Sequence, residues 1–195
     1  MTLPHVAIIL AGGRAARLGG SVRKPLVHVG GRPLLAAALG AADGAEQVVV
    51  VGDVPVPPGV IGTVEDPPRS GPAAGLAAGL SALTADAPWV LVLASDLPGA
   101  EQAVPALLAA AEVHNVTDGI CFHDETGHPQ WMLALYRTDA LRRAVAGTAT
   151  TDLSLRRLLA PLELTTIPGD RWSIADCDTW PEIEAARANA SREHS

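Results

Sequence analysis

Short β-branched runs alternate with longer Ala/Leu-rich stretches along this chain, the pattern of βαβ units around a mostly parallel sheet. Val6 to Leu10 is apolar at every position, which predicts a strand buried on both faces. A loop follows from Ala11 to Lys24, then a helix opening at Pro33, because proline is tolerated in a first helical turn. Gln47 to Val51 and Val60 to Val64 are predicted strands, and Gly71 to Leu83 places apolar residues at helical spacing after a Ser-Gly-Pro start. Trp89 to Ala94 is the strongest central strand; Ser95-Asp-Leu-Pro-Gly99 turns it into a helix over Glu101 to Glu112.

The second half is less regular. Gly119 to Phe122 and Gln130 to Tyr136 read as strands around a loop from His123 to Pro129, Asp139 to Ala146 and Leu153 to Leu159 as helices, and Leu162 to Ile167 as a strand. Trp172 to Ala175 is a candidate for one more strand. Thr179-Trp-Pro-Glu182 puts a capping threonine and an early proline before a closing helix. Composition does not shift at any interior point, so the expectation is one three-layer α/β domain over residues 1–188 and a loose tail over 189–195.

Composition narrows the picture. With 48% hydrophobic and 18% charged residues, the 195-residue chain has enough apolar surface to fold, which excludes disorder. Aromatics are only 3%, so the core must come from Ala, Val, Leu and Ile on closely approaching elements. A net charge of −7 opposes nucleic acid and anionic membranes as partners. Cys121 and Cys177 form no CxxC or Cys/His spacing, which argues against a disulfide framework or zinc site. No secretory signal or membrane-length apolar run is legible, and a cytoplasmic protein is expected.

Ligands of open α/β sheets bind beyond the carboxyl ends of the strands, which directs attention to Leu10-Ala-Gly-Gly-Arg-Ala-Ala-Arg-Leu-Gly-Gly-Ser-Val-Arg-Lys-Pro25. Gly12 and Gly13 let backbone N–H groups approach an anion. Arg14, Arg17, Arg23, Lys24 and Arg32 surround them, and no acidic residue precedes Asp43. Lys24 is the only lysine, so this position calls for a compact ammonium in a chain that otherwise uses arginine. There is no Gly-Lys dipeptide for a P-loop, and the Gly12-Gly13 pair breaks the G-x-G-x-x-G spacing of dinucleotide sites.

Leu10-Ala-Gly-Gly-x3-Arg17-Leu-Gly-x4-Lys24 resembles the signature of the MobA-like nucleotidyltransferases, and the resemblance extends from Val6 to about Ala186. Asp66 is similar to the family's aspartate near the nucleoside, and Gly71-Pro-Ala-Ala-Gly75-Leu to its G-P-x-A-G-[LM] turn beside the base. Ser95-Asp96-Leu-Pro98 resembles the C-D-x-P element whose aspartate binds magnesium, with serine in place of the usual cysteine. Asp176-Cys-Asp178-Thr-Trp-Pro-Glu182 is similar to the closing [DN]-x-[DN]-T-P-E segment, with Trp180 inserted. Leu10-Ala-Gly-Gly13 and Pro129-Gln-Trp-Met-Leu-Ala-Leu-Tyr136 look like the molybdenum cofactor guanylyltransferase branch; cytidylyltransferase relatives usually carry Ala-Ala-Gly at the first position.

The resemblance implies a Rossmann-like αβα nucleotidyltransferase fold with a mostly parallel mixed sheet. It implies Mg²⁺-dependent transfer of GMP from GTP to the phosphate of molybdopterin, and transient contact with proteins that make or accept that cofactor. The other readings are a cytidylyltransferase, a relative using another phosphorylated acceptor, or a non-catalytic nucleotide- or cofactor-binding protein. Leu10, Ala11, Gly12, Gly13, Arg14, Lys24, Asp66, Gly71, Gly75 and Asp96 are the expected nucleotide contacts; Lys24, Arg17 and Asp96 are the expected catalytic residues.

Such a reaction must offset negative charge gathered around the α-phosphorus, so cationic groups and a metal are the catalysts. Asp96 can hold Mg²⁺, and Asp176 or Asp178 could supply a second carboxylate. A phosphate monoester acceptor is already mostly dianionic at neutral pH and needs no protein base. His123 and His128 read as a surface loop, and Trp131 as a core residue that is also a candidate to line the acceptor pocket.

Overall fold

Alternation along each strand sorts its side chains into two apolar layers, one on either face of a central sheet. The computed structural model describes residues 3–12, 23–114 and 116–193. In β1 (His5–Leu10), Ala7 and Ile9 join one layer while Val6, Ile8 and Leu10 join the other. In β6 (Trp89–Ala94), Trp89, Leu91 and Leu93 face the first layer, and Val90 and Val92 the second. Both strands are buried at every position, as the apolar runs Val6–Leu10 and Trp89–Ala94 require, and the leading His5 is buried with its Nδ1 2.8 Å from the Leu3 carbonyl.

The other strands are β2 (His28–Val29), β3 (Arg32–Pro33), β4 (Val48–Val51), β5 (Ile61–Thr63), β7 (Gly119–His123), β8 (Pro129–Arg137) and β9 (Leu164–Pro168). Among the described residues, seven strands form one sheet in the order β5-β4-β1-β6-β8-β7-β9. Strands β5, β4, β1 and β6 are mutually parallel, β8 is antiparallel to both its neighbours, and β9 is parallel to β7. The sheet is therefore mixed and mostly parallel, as expected. Leu10 is level with Ala94 and Val51, which brings the carboxyl ends of β1, β6 and β4 to one edge.

Helices α1 (Leu34–Ala41) and α3 (Ala100–Val113) cover the first face; α2 (Pro72–Ala82), α4 (Thr138–Val145) and α5 (Leu155–Leu159) cover the second. Close approach replaces aromatic bulk. A Cβ on Gly79 of α2 would lie 2.6 Å from Ile8 Cγ2, so a side chain there would push the helix off the sheet. Among the described residues, no helix is long and apolar enough to cross a membrane.

Three local expectations fail. Gly30 and Gly31, at φ +58° and +80°, close a two-residue hairpin between β2 and β3, so Pro33 ends a strand and α1 begins at Leu34. Trp172 to Ala175 is no strand. Asp170 captures this segment instead: Ser173 N–H donates to its carboxylate at 3.0 Å and Ser173 Oγ to its carbonyl at 3.0 Å, bonds that replace a ladder with a turn. The closing helix α6 (Trp180–Glu193) continues past Ala188 into the residues expected to be loose, with Ala190 packed at Gly30.

Helix α6 also positions the site. Ile183 and Cys177 join Val27, Val29 and Leu34 in a small third core, and Arg187 Nε donates to the His28 carbonyl at 3.0 Å. Thr179 N–H donates to Glu182 at 2.7 Å, so the inserted Trp180 sets Glu182 three residues on, at the capping-box position. The C-terminal segment is thereby fastened to the turn that carries Lys24.

Candidate functional site

Parallel strands that end level leave a row of backbone groups and short loops at their carboxyl edge. Here Ser95 N–H donates to the Leu10 carbonyl at 3.1 Å and Ala11 N–H to that of Val51 at 2.8 Å, fixing the first residues beyond β6 and β1. Gly52 is required at this crossing: its φ is +146°, and a Cβ would lie 2.7 Å from the Ala11 carbonyl carbon. Asp96 follows Ser95, and its carbonyl accepts the Cys177 N–H at 3.1 Å, which draws the C-terminal segment to the end of β6.

Lys24 opens a single 3₁₀ turn, Lys24–Leu26, whose Pro25 is buried. Its Nζ donates to Asp96 Oδ2 and to Asp178 Oδ1. The lysine side chain is 15% exposed and that of Asp96 18%, so this ion pair is shielded more than an ordinary surface pair. Desolvation pulls the ammonium's pKa down, but the charge of Asp96 and hydrogen bonds to Asp178 and Asp96 outweigh it, and the pKa is raised. Lys24 thus stays protonated. The second oxygen of Asp96, Oδ1, is buried without a hydrogen-bond partner among the described residues.

These groups form one side of a cavity of about 670 Å³. Leu10, Ala11 and Gly12 form its floor, and Gly71 and Gly75 bring the N-terminal turn of α2 to its rim, an end that favours anions. Gly71 is needed for its backbone, at φ +93°, whereas a Cβ on Gly75 would meet Leu10 Cδ2 at 3.4 Å, an ordinary packing contact. Glu65, Arg69, Asp152 and Met132 complete the walls.

The cavity gathers Leu10, Ala11, Gly12, Lys24, Gly71, Gly75, Asp96 and Asp178. Gly13, Arg14 and Arg17 lie outside the described residues. Asp66 is exposed and off the wall; its neighbour Glu65 is buried there, accepting the Arg69 N–H at 2.8 Å. Asp176 lines a neighbouring cavity of about 650 Å³. Its pKa is raised by desolvation first and by Asp178 and Asp96 next, against the pull of Lys24. Arg23 donates to the Asp53 carbonyl at 3.2 Å, and Arg32 grips Glu101 through both nitrogens at 2.8 and 2.5 Å.

Met132, not Trp131, reaches the cavity; Trp131 is half-buried against the second core layer. His123 and His128 flank a hairpin turn in which Asp124 Oδ1 accepts the N–H groups of Thr126 and His128, each at 2.9 Å. Cys177, buried between the two cavities, has its thiol pushed up to about 12, first by desolvation and then by Asp96, and stays protonated. No group of three or more His, Cys, Asp or Glu side chains converges among the described residues. The arrangement offers one ammonium shared by the carboxylates of Asp96 and Asp178, and glycine-lined backbone, at a strand edge, a set suited to a polyanion accompanied by a hard cation.

The family model of the MobA-like NTP transferase domain matches residues 7–167. A molybdenum cofactor guanylyltransferase of Xanthomonas euvesicatoria pv. vesicatoria (strain 85-10) is 33% identical over 186 residues, covering 92% of this chain and 93% of the relative. The solved structure of a Mycobacterium sp. strain JC1 homologue of Mycobacterium tuberculosis Rv0371c superposes with a TM-score of 0.73 at 22% identity, covering 97% of this chain and 98% of the other. That of Rv0371c itself in complex with manganese gives 0.68 at 19% identity over 95% and 98% of the two chains. These two structures are likenesses of fold.

Proposed function

We propose a specific reaction for this chain, which belongs to the MobA-like NTP transferase family and is a nucleotidyltransferase: Mg²⁺-dependent transfer of GMP from GTP to the phosphate of molybdopterin. An acceptor phosphate oxygen bonds to the α-phosphorus, the bond from that phosphorus to the β-phosphate bridge breaks, and pyrophosphate leaves. The guanylyltransferase relative and the Leu10-Ala-Gly-Gly13 loop support guanine and molybdopterin over other pairs. The observation that carries the reading is the convergence of Lys24, Asp96 and Asp178 at the carboxyl ends of β1 and β6.

A divalent cation fits this donor set, because Asp96 Oδ1 is a buried hard oxygen without a hydrogen-bond partner among the described residues. Asp96 and Asp178 would hold it; Asp176, on the neighbouring cavity, would not. Bound there, the cation supplies Lewis-acid stabilisation of the charge around the α-phosphorus. Lys24 places a permanent positive charge on the triphosphate, and Gly12 and the α2 turn leave room and backbone partners for a purine. Glu65 and Arg69 shape the opposite wall. The acceptor arrives as a dianion, so none of the histidines is needed as a base.

The two cysteines are free, and we place the protein in the reducing cytoplasm, with GTP and molybdopterin as substrates and passing contact with proteins that make or accept the cofactor. The test offers GTP, CTP and ATP separately with Mg²⁺ and molybdopterin and reads products by mass. GTP should give the guanine dinucleotide and pyrophosphate in equal amounts. Equal turnover of all three would sink the guanine assignment, and nucleotide binding without product would sink the reaction.

A further inference from the structure

We propose that Lys24 is an internal counter-ion which a divalent cation must displace, so that metal and triphosphate bind this site together rather than independently; the proposal rests on the nucleotidyl-transfer reading above. One ammonium serves two carboxylates that arrive from unrelated parts of the chain, Asp96 from the end of β6 and Asp178 from the segment before α6. Those carboxylates are brought together by main-chain bonding, the Cys177 N–H on the Asp96 carbonyl, and not by the lysine alone. They would therefore face each other whether or not Lys24 stands between them.

Two consequences follow from charge. Without a ligand, the pair needs a cation, and among the described residues Lys24 is the one that meets both carboxylates. A metal ion approaching the same oxygens meets an ammonium already bound to one oxygen of each carboxylate, a like-charge contact within a shielded pocket. The lysine stem is flexible and its head carries rotatable donors, so it can move to another anion at small cost. A triphosphate in the adjoining cavity is such an anion. Its arrival draws Lys24 away and bares both carboxylates, and linkage makes the effect reciprocal, so bound metal raises affinity for triphosphate.

The test titrates Mn²⁺ into the full chain without nucleotide, following free Mn²⁺ by its paramagnetic resonance signal. Lys24→Met, neutral and of similar length, should bind Mn²⁺ more tightly than the wild type, by a factor in the range of about 5 to 150 expected of coupled sites. Lys24→Arg, which keeps the charge, should stay weak. With the Mn²⁺ that the nucleotide chelates by itself measured without protein and subtracted, guanosine 5′-(α,β-methylene)triphosphate should tighten Mn²⁺ binding in the wild type and do so less in Lys24→Met. Combining Lys24→Met with Asp96→Asn should abolish the tightened binding; if it persists, the ion sits elsewhere and the proposal falls. Lys24→Gln carries the same expectation as Lys24→Met and replaces it if that variant melts below the assay temperature. Equal Mn²⁺ affinity in wild type and the neutral variants overturns the proposal while leaving wild-type GTP transfer untouched. A wild type that transfers no nucleotide overturns the reading beneath it.

Discussion

Two cavities of similar size lie on either side of the Asp176-Cys177-Asp178 segment, and each contains a basic side chain held by acids. They differ in how the charges pair. In the neighbouring cavity the Arg32 fork meets both oxygens of one carboxylate, Glu101, so one positive and one negative charge are mutually satisfied. Such a partly exposed pair contributes about 0–1 kcal/mol and asks for nothing further. In the strand-end cavity one ammonium is divided between two carboxylates, and Asp96 Oδ1 has no hydrogen-bond partner among the described residues. We read that excess of acceptor oxygen as a place for a cation. One shielded ammonium divided between two carboxylates at a strand edge, rather than the number of charged residues, separates the site from its neighbour.

The largest effect that tests this contrast is Asp96→Asn, which keeps the size of the side chain and loses the charge. Turnover should fall on the order of a hundredfold or more, the scale of losing a principal electrostatic stabiliser. Wild-type rates at ordinary Mg²⁺ would remove Asp96 from the site. Asp178→Asn should lose at least about tenfold, since even indirect contacts to a metal are felt at that level. Asp176→Asn should stay within about twofold of wild type at saturating metal, since its carboxylate lines the neighbouring cavity and neither meets Lys24 nor holds the cation in this account. The reverse order would move the metal into the other cavity.

Glu65 and Asp66 make a smaller test on the opposite wall. Glu65→Ala should raise KM for GTP by about tenfold through loss of a carboxylate that fixes the Arg69 backbone. Asp66→Asn should leave KM unchanged, and a matching rise would restore Asp66 to the nucleotide site. The smallest effect is thermal. The Asp176 carboxyl has its pKa raised on folding, so its protonated form is the one the fold favours, and its contribution to stability declines as pH rises through the carboxylate range. Asp176→Asn should therefore raise Tm slightly at pH 7 and show no gain below that range. A gain that is equal at both pH values would assign it to packing rather than charge.

The sheet was legible because β1, β4 and β6 are continuous apolar runs buried on both faces, a signal no amphipathic helix imitates at that length. The β2–β3 hairpin was not, since two-residue strands carry no periodicity and only Gly30-Gly31 announces the turn. Lys24 and Asp96 stood out by composition and by place after a strand. The choice between Asp176 and Asp178 did not, because it depends on how the Asp170 turn and the Cys177 backbone bond aim two carboxylates to opposite sides of one segment. Glu65 was hidden for a similar reason: beyond the end of β5, only the fold decides which of two adjacent acids turns inward.

The most direct test of the account is one reaction measured in two proteins. Wild type and Asp96→Asn are each mixed with GTP, Mg²⁺ and molybdopterin, and the guanine dinucleotide and pyrophosphate are quantified together from the same sample. The account predicts one pyrophosphate per dinucleotide in the wild type and loss of both products together in the variant. Dinucleotide formed equally by both proteins, or pyrophosphate released without dinucleotide in the wild type, would contradict it.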